Sequence, residues 1–221
     1  MRDTTDTANP PQRPDFLSAL VADLSPVRPV PSTLRAVSTW AVVAVPLAAS
    51  LTALGGPLRD GVLSDLSTPR LALEFVLGIS ALIALGIGGF EAALPGGARR
   101  AAALVPGLLL GAAWLGVALG GFGLDGPAVS MLGKREHCFL HGVAIAAVPA
   151  LHGVRLVRAR TVGPDPIAGL WVGLAAGALP ALAMQLACMY DPGHALRFHF
   201  TPILVMGLAG AAWTSVGADR S

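Results

Sequence analysis

Long apolar runs alternate with short polar, glycine- or proline-bearing breaks along most of the chain. Crossing a hydrocarbon core of about 30 Å takes roughly 20 predominantly apolar residues in a helix. Six runs meet that need: 36–55, 71–93, 101–120, 137–157, 166–188 and 201–217. The last covers only 17 residues and needs a thinner bilayer or help from its flanks. His141 and His152 interrupt the fourth; without it, a five-span chain would put its carboxyl end on the opposite side. The pattern predicts an all-α fold, a polytopic membrane bundle of six transmembrane helices over 36–217, with a four-residue stub after it.

Before the first run lies a polar tail, residues 1–35, with a pattern of its own. Residues 1–14 are polar and carry three prolines, a composition that favours disorder. Then Phe16, Leu17, Leu20, Val21 and Leu24 recur at i, i+1, i+4, i+5 and i+8, one stripe of a short helix over about 15–24. Asp15 is placed to cap it, and the prolines from Pro26 onward end it. Ten residues do not make a stable helix alone in water, so the stripe needs a surface. A helix lying on the membrane usually bears Lys or Arg on its polar face. This one bears Asp15 and Asp23, which suits a basic groove on a soluble partner better. The docking candidates are Phe16, Leu17, Leu20, Val21, Asp23 and Leu24. No cleavable signal pattern precedes the first span, which is expected to be an uncleaved anchor.

Composition agrees with the membrane reading. Of 221 residues, 54% are hydrophobic and only 13% charged, whereas soluble domains carry about 25% charged side chains and need them to cover a surface. A net charge of +2, thinly scattered, does not suit a nucleic-acid binder, and two cysteines exclude a disulfide-rich scaffold. The basic residues orient the bundle. With the amino terminus inside, the inner segments hold Arg2, Arg13, Arg28, Arg35, Arg99, Arg100, Arg155, Arg158, Arg160 and Arg220, ten against the outer five of Arg59, Arg70, Lys134, Arg135 and Arg197. That is the positive-inside bias, and it predicts both termini in the cytoplasm. Trp40, Trp171 and Trp213 fall near the inner ends, where interface anchors sit.

Within the spans, Gly107 with Gly111, Gly116 with Gly120, and Gly169, Gly173 and Gly177 keep the small-xxx-small spacing that lets helices approach. Pro46, Pro106, Pro149 and Pro180 predict kinks. Ionisable residues are nearly absent; Glu74 and Glu91 sit at opposite ends of the second span. A coupled transporter normally places charge near the midplane, so this dry middle argues against transport.

Both cysteines and four of the five histidines (137, 141, 194 and 199) fall at the outer face in this topology. Cys138 opens span four and Cys188 ends span five, antiparallel neighbours joined by a short inner loop. Three roles compete: a disulfide in an oxidising periplasm, a thiol sensor for soft metal ions or oxidants, and plain packing. The candidate metal set is Cys138, His141 three residues on, Cys188 and His194.

Two motifs carry a family resemblance. Leu-x-x-Asp-Leu-x-Pro-Val-x-Pro occupies 20–29, followed by Arg35, and Cys-x-x-Asp-Pro-x-His-x-x-x-Phe-His occupies 188–199, with Cys138 before span four. In these the chain resembles the NrsF-like family of membrane anti-sigma factors, negative regulators of an extracytoplasmic-function sigma factor. The resemblance implies a bacterial inner-membrane protein whose cytoplasmic tail sequesters the sigma factor. It also implies release on an envelope signal, for which Cys138 and Cys188, in the thiol-sensor role above, are the sensing candidates. The expected partners are that sigma factor and the lipid bilayer, with self-association left open and no direct contact with nucleic acid. No cofactor is required, and a soft metal ion bound transiently at the outer Cys/His residues is the one ligand expected. Enzyme motifs such as HExxH or a phosphate loop do not occur in the sequence. The alternative from another class is a small membrane transporter or channel for a metal ion. A membrane thiol oxidoreductase, a third possibility, would usually need a second cysteine pair or a quinone site.

Overall fold

The computed structural model describes residues 30–94, 97–131 and 133–216. The expected tail helix, with Phe16, Leu17, Leu20, Val21, Asp23 and Leu24, lies outside the described residues. The described residues form helices joined by irregular connections, without strands, and six of the helices are long and apolar enough to cross a membrane. They are α1 (Thr33–Leu54), α2 (Pro69–Ala92), α3 (Gly97–Gly120), α4 (Cys138–Arg158), α5 (Pro166–Ala187) and α6 (Pro192–Ser215). At 1.5 Å per residue, even the 21-residue α4 reaches about 32 Å, enough for the hydrocarbon core. Successive helices run in alternate directions, so the described chain starts and finishes at the same end of the bundle. We call this the tail end and the opposite one the thiol end.

Local chemistry sets the helix starts. Ser32 caps α1 by accepting from Arg35 N–H. Asp165 and Asp191 each precede a proline at the first helical position and each accept a backbone N–H three residues on, Ala168 at 3.0 Å and His194 at 2.6 Å. The second of these caps corrects one expected boundary. Span six begins at Pro192, not at 201, so its 24 residues need no thinning of the bilayer. Its polar first turns, which hydropathy reads as loop, include a π-helical stretch, Ala195–Phe200.

α5 is the central helix, buried along most of its length against α1, α2, α4 and α6. In a bilayer, apolar faces gain little by leaving lipid, so association relies on close packing. Gly169, Gly173 and Gly177 supply it: a Cβ on Gly173 would stand 2.2 Å from the Met206 carbonyl oxygen, and one on Gly169 2.4 Å from that of Gly210. Gly111 and Gly120 behave otherwise, because a Cβ there meets nothing within 4 Å. Gly173→Ala must therefore push α6 off α5, and we expect a loss of about 1–3 kcal/mol, as for an overpacked core. Thermal unfolding in micelles checks this, with Gly163→Ala, also in open space, as the unaffected control.

Trp40 also departs from expectation. It is buried rather than interfacial, and its indole N–H donates to the Pro149 carbonyl at 2.9 Å, tying α1 to α4. Trp213, by contrast, is half exposed. At the tail end Arg160 donates to the Pro31 carbonyl and to Thr33 Oγ1, while Arg100 pairs with Asp165.

Candidate functional site

The thiol end gathers most of the buried polar chemistry of the described residues. His137 takes a left-handed conformation (φ 59°) and turns the chain into α4, so that Cys138 enters buried. Cys188 sits in extended backbone just past the end of α5, also fully buried. Their sulfurs lie 3.2 Å apart as free thiols. A disulfide needs about 2.05 Å, so a small displacement separates the two states.

Two imidazoles complete the group. His194 Nε2 lies 3.4 Å from Cys188 Sγ. The His199 ring stands edge-on to His194, with centroids 5.1 Å apart. The ligand atoms of Cys138, Cys188, His194 and His199 all fall within 4.8 Å of one another. The π-helical stretch explains this, because its wider turns bring residues five apart, 194 and 199, to one side. His141 is not part of the group and is exposed. On a regular α-helix the position nearest in line with Cys138 is i+4, and there Gly142 packs beneath Pro202; the i+3 residue is rotated away. His199 thus stands where the sequence reading put His141.

Electrostatics favours reactivity. The Cys138 thiol beside it draws the Cys188 thiol below its ordinary range; burial opposes this and the adjacent His199 ring adds to it. A thiolate is the form that binds metals and attacks oxidants. His199 is buried with no hydrogen bond in good geometry to either ring nitrogen among the described residues. Such a group costs about 1–3 kcal/mol unless something satisfies it. Two thiols and two imidazoles at this spacing suit a tetrahedral soft-metal site or, through the sulfurs alone, a disulfide. An open depression of about 380 Å³, lined among others by Met131, Met189 and His194, leads to the group.

Around the cluster, three arginines are consumed internally. Arg135 donates to the carbonyls of Thr52 (3.1 Å), Gly56 (2.7 Å), Pro57 (2.8 Å) and Ala187 (3.0 Å), joining the end of α1 to that of α5. Its own carbonyl lies 3.2 Å from Cys138 Sγ. Arg70 pairs with Glu74 at 3.1 Å, and Arg59 with Asp65 at 3.0 Å. Glu74, buried in α2, also accepts from Tyr190 Oη at 2.9 Å and Gln185 Nε2 at 3.3 Å. Burial, and then Glu74, pushes the Tyr190 phenol above its ordinary range, so it stays a donor. Sequence reasoning missed this network and the Arg135 clamp; the only local signal was an arginine three residues before a cysteine.

No curated protein and no solved structure matches the chain. One family model does, that of NrsF, the negative regulator of sigma F, over residues 20–216. Matched over most of its length, with its thiols and imidazoles drawn together at one end of a six-helix bundle, the chain belongs to the NrsF family, the negative regulators of sigma F.

Proposed function

We propose that this chain is a multi-pass anti-sigma factor of the bacterial inner membrane that holds an extracytoplasmic-function sigma factor with its amino-terminal segment. Both termini are cytoplasmic in this reading, and the cluster of Cys138, Cys188, His194 and His199 faces the periplasm. A soft metal ion or an oxidant reaching the cluster releases the sigma factor. One observation carries the reading: within a family of sigma F regulators, a buried thiol–imidazole group lies at the end of the bundle opposite the start of α1. The family match beginning at Leu20 supports a role for the docking segment.

The contacts of α1 supply a route between the two ends. Its far end is gripped by Arg135, its middle by the Pro149 carbonyl and its start by Arg160. All three partners belong to α4 and its flanks, and Cys138 is the first residue of α4. Disulfide formation removes two protons and two electrons, both electrons passing to the oxidant, and closes the sulfurs from 3.2 Å. Metal binding displaces thiol protons and pulls both sulfurs toward one ion. Either event moves the head of α4 against the end of α5 and alters the hold on α1. Coupling of only about 1.4 kcal/mol changes sigma-factor affinity tenfold.

The docking half is tested with the sigma factor itself. Leu20→Asp should weaken its binding by about 1–3 kcal/mol, the loss expected for a buried apolar anchor, and Arg2→Ala should not. Co-purification with full-length protein measures both. Undiminished capture after removal of residues 1–30 would move the binding surface to the inner loops.

A further inference from the structure

An apolar slot of about 440 Å³ opens between α3, α5 and α6, away from the cysteines. Leu108, Ala112, Trp114, Trp171, Leu174 and Leu204 form its walls, and Gly111 leaves its floor open. The volume falls within the range of about 300–1,000 Å³ typical of sites that enclose small apolar ligands. Along α6 the lining runs from Leu196 to Leu204, about 12 Å of helix descending from the thiol end toward mid-bundle.

At the upper rim stands Arg197, exposed, and lining both this slot and the neighbouring depression that also holds Lys134. Neither side chain forms an ion pair with a described residue, although Arg59, Arg70 and Arg100 all do. An exposed guanidinium at the membrane boundary, with no carboxylate partner among the described residues, is free to bind an anion. A phosphate oxygen pair fits its fork. A greasy slot with a cation at its lip is complementary to an anionic amphiphile whose tail points down the membrane normal.

We propose that the slot holds one acyl chain of an anionic glycerophospholipid, whose phosphate is bound by Arg197. The site is separate from the Cys/His cluster and does not depend on the regulatory reading.

The test uses the full chain carrying Trp213→Phe, which removes the exposed indole; Trp114 and Trp171 remain as slot reporters, with Trp40, buried outside the slot, as a constant background. It is reconstituted in phosphatidylcholine vesicles containing a minor fraction of chain-brominated phosphatidylglycerol or chain-brominated phosphatidylcholine. Bromine quenches tryptophan on contact. The brominated phosphatidylglycerol should quench several-fold more strongly at equal fraction. Arg197→Ala should bring the two lipids level. Gly111→Phe, which fills the slot from a position with room for a side chain, should weaken quenching by both. Circular dichroism confirms helix content in each variant. Equal quenching by the two lipids in the Trp213→Phe protein, or a lipid preference that survives Arg197→Ala, would overturn the proposal.

Discussion

Cys138→Ser and Cys188→Ser should each abolish release of the sigma factor on exposure to soft metal ions or oxidants, leaving the protein in the membrane and the sigma factor bound. Serine nearly matches cysteine in size but forms neither a disulfide nor a strong thiolate–metal bond. Each sulfur lies 3.2 Å from the other, so losing either removes the pair. The response, read from a sigma-dependent reporter, should fall to background. The histidines then separate the two chemistries. If coordination is the trigger, His194→Ala and His199→Ala blunt the metal response and spare the oxidant response. His141→Ala, exposed and outside the cluster, should change neither. Serine variants that respond like the unsubstituted protein would return both cysteines to a packing role.

Glu74→Ala should destabilise the bundle by about 3–5 kcal/mol, the usual loss when one partner of a buried charged pair is removed. The carboxylate is 2% exposed and accepts from Arg70, Tyr190 and Gln185 at once. Truncating it strands three donors, one of them charged, in a low-dielectric setting. Glu74→Gln keeps an acceptor for Tyr190 and should lose less. Unfolding by denaturant in micelles measures the difference, and an alanine variant as stable as the parent contradicts the network. Tyr190 lies two residues after Cys188, so the same change should also loosen the cluster.

The helices were legible because apolar length is a local property, and each of the six expected spans corresponds to a helix. The start of α6 was not, since its first turns carry His194, Arg197 and His199, and hydropathy reads them as loop. The same Asp-Pro signal that opens α5 at Asp165 was present at Asp191. Gly169, Gly173 and Gly177 declared their close packing by spacing, whereas the same spacing at Gly116 and Gly120 led to no close helix contact, because spacing does not say which face meets a neighbour. The cluster was half visible. Cys138, Cys188 and His194 could be set at one face by topology, but choosing His199 over His141 required knowing that α6 widens into a π turn. The Glu74 to Tyr190 contact spans 116 positions and has no local pattern at all. Trp40 misled because its indole donates to the Pro149 carbonyl inside the bundle rather than facing the membrane surface.

In the proposed reading, the state of the thiol cluster sets how tightly the amino-terminal segment holds the sigma factor. The most direct measurement is the affinity of the sigma factor for the full-length protein in proteoliposomes, with thiols reduced and then after cadmium ion or a thiol oxidant is added on the cluster side. Binding should be at least about tenfold weaker after treatment, equivalent to about 1.4 kcal/mol of coupling, with no change in the Cys188→Ser protein. Equal affinity in the reduced and treated states would contradict it.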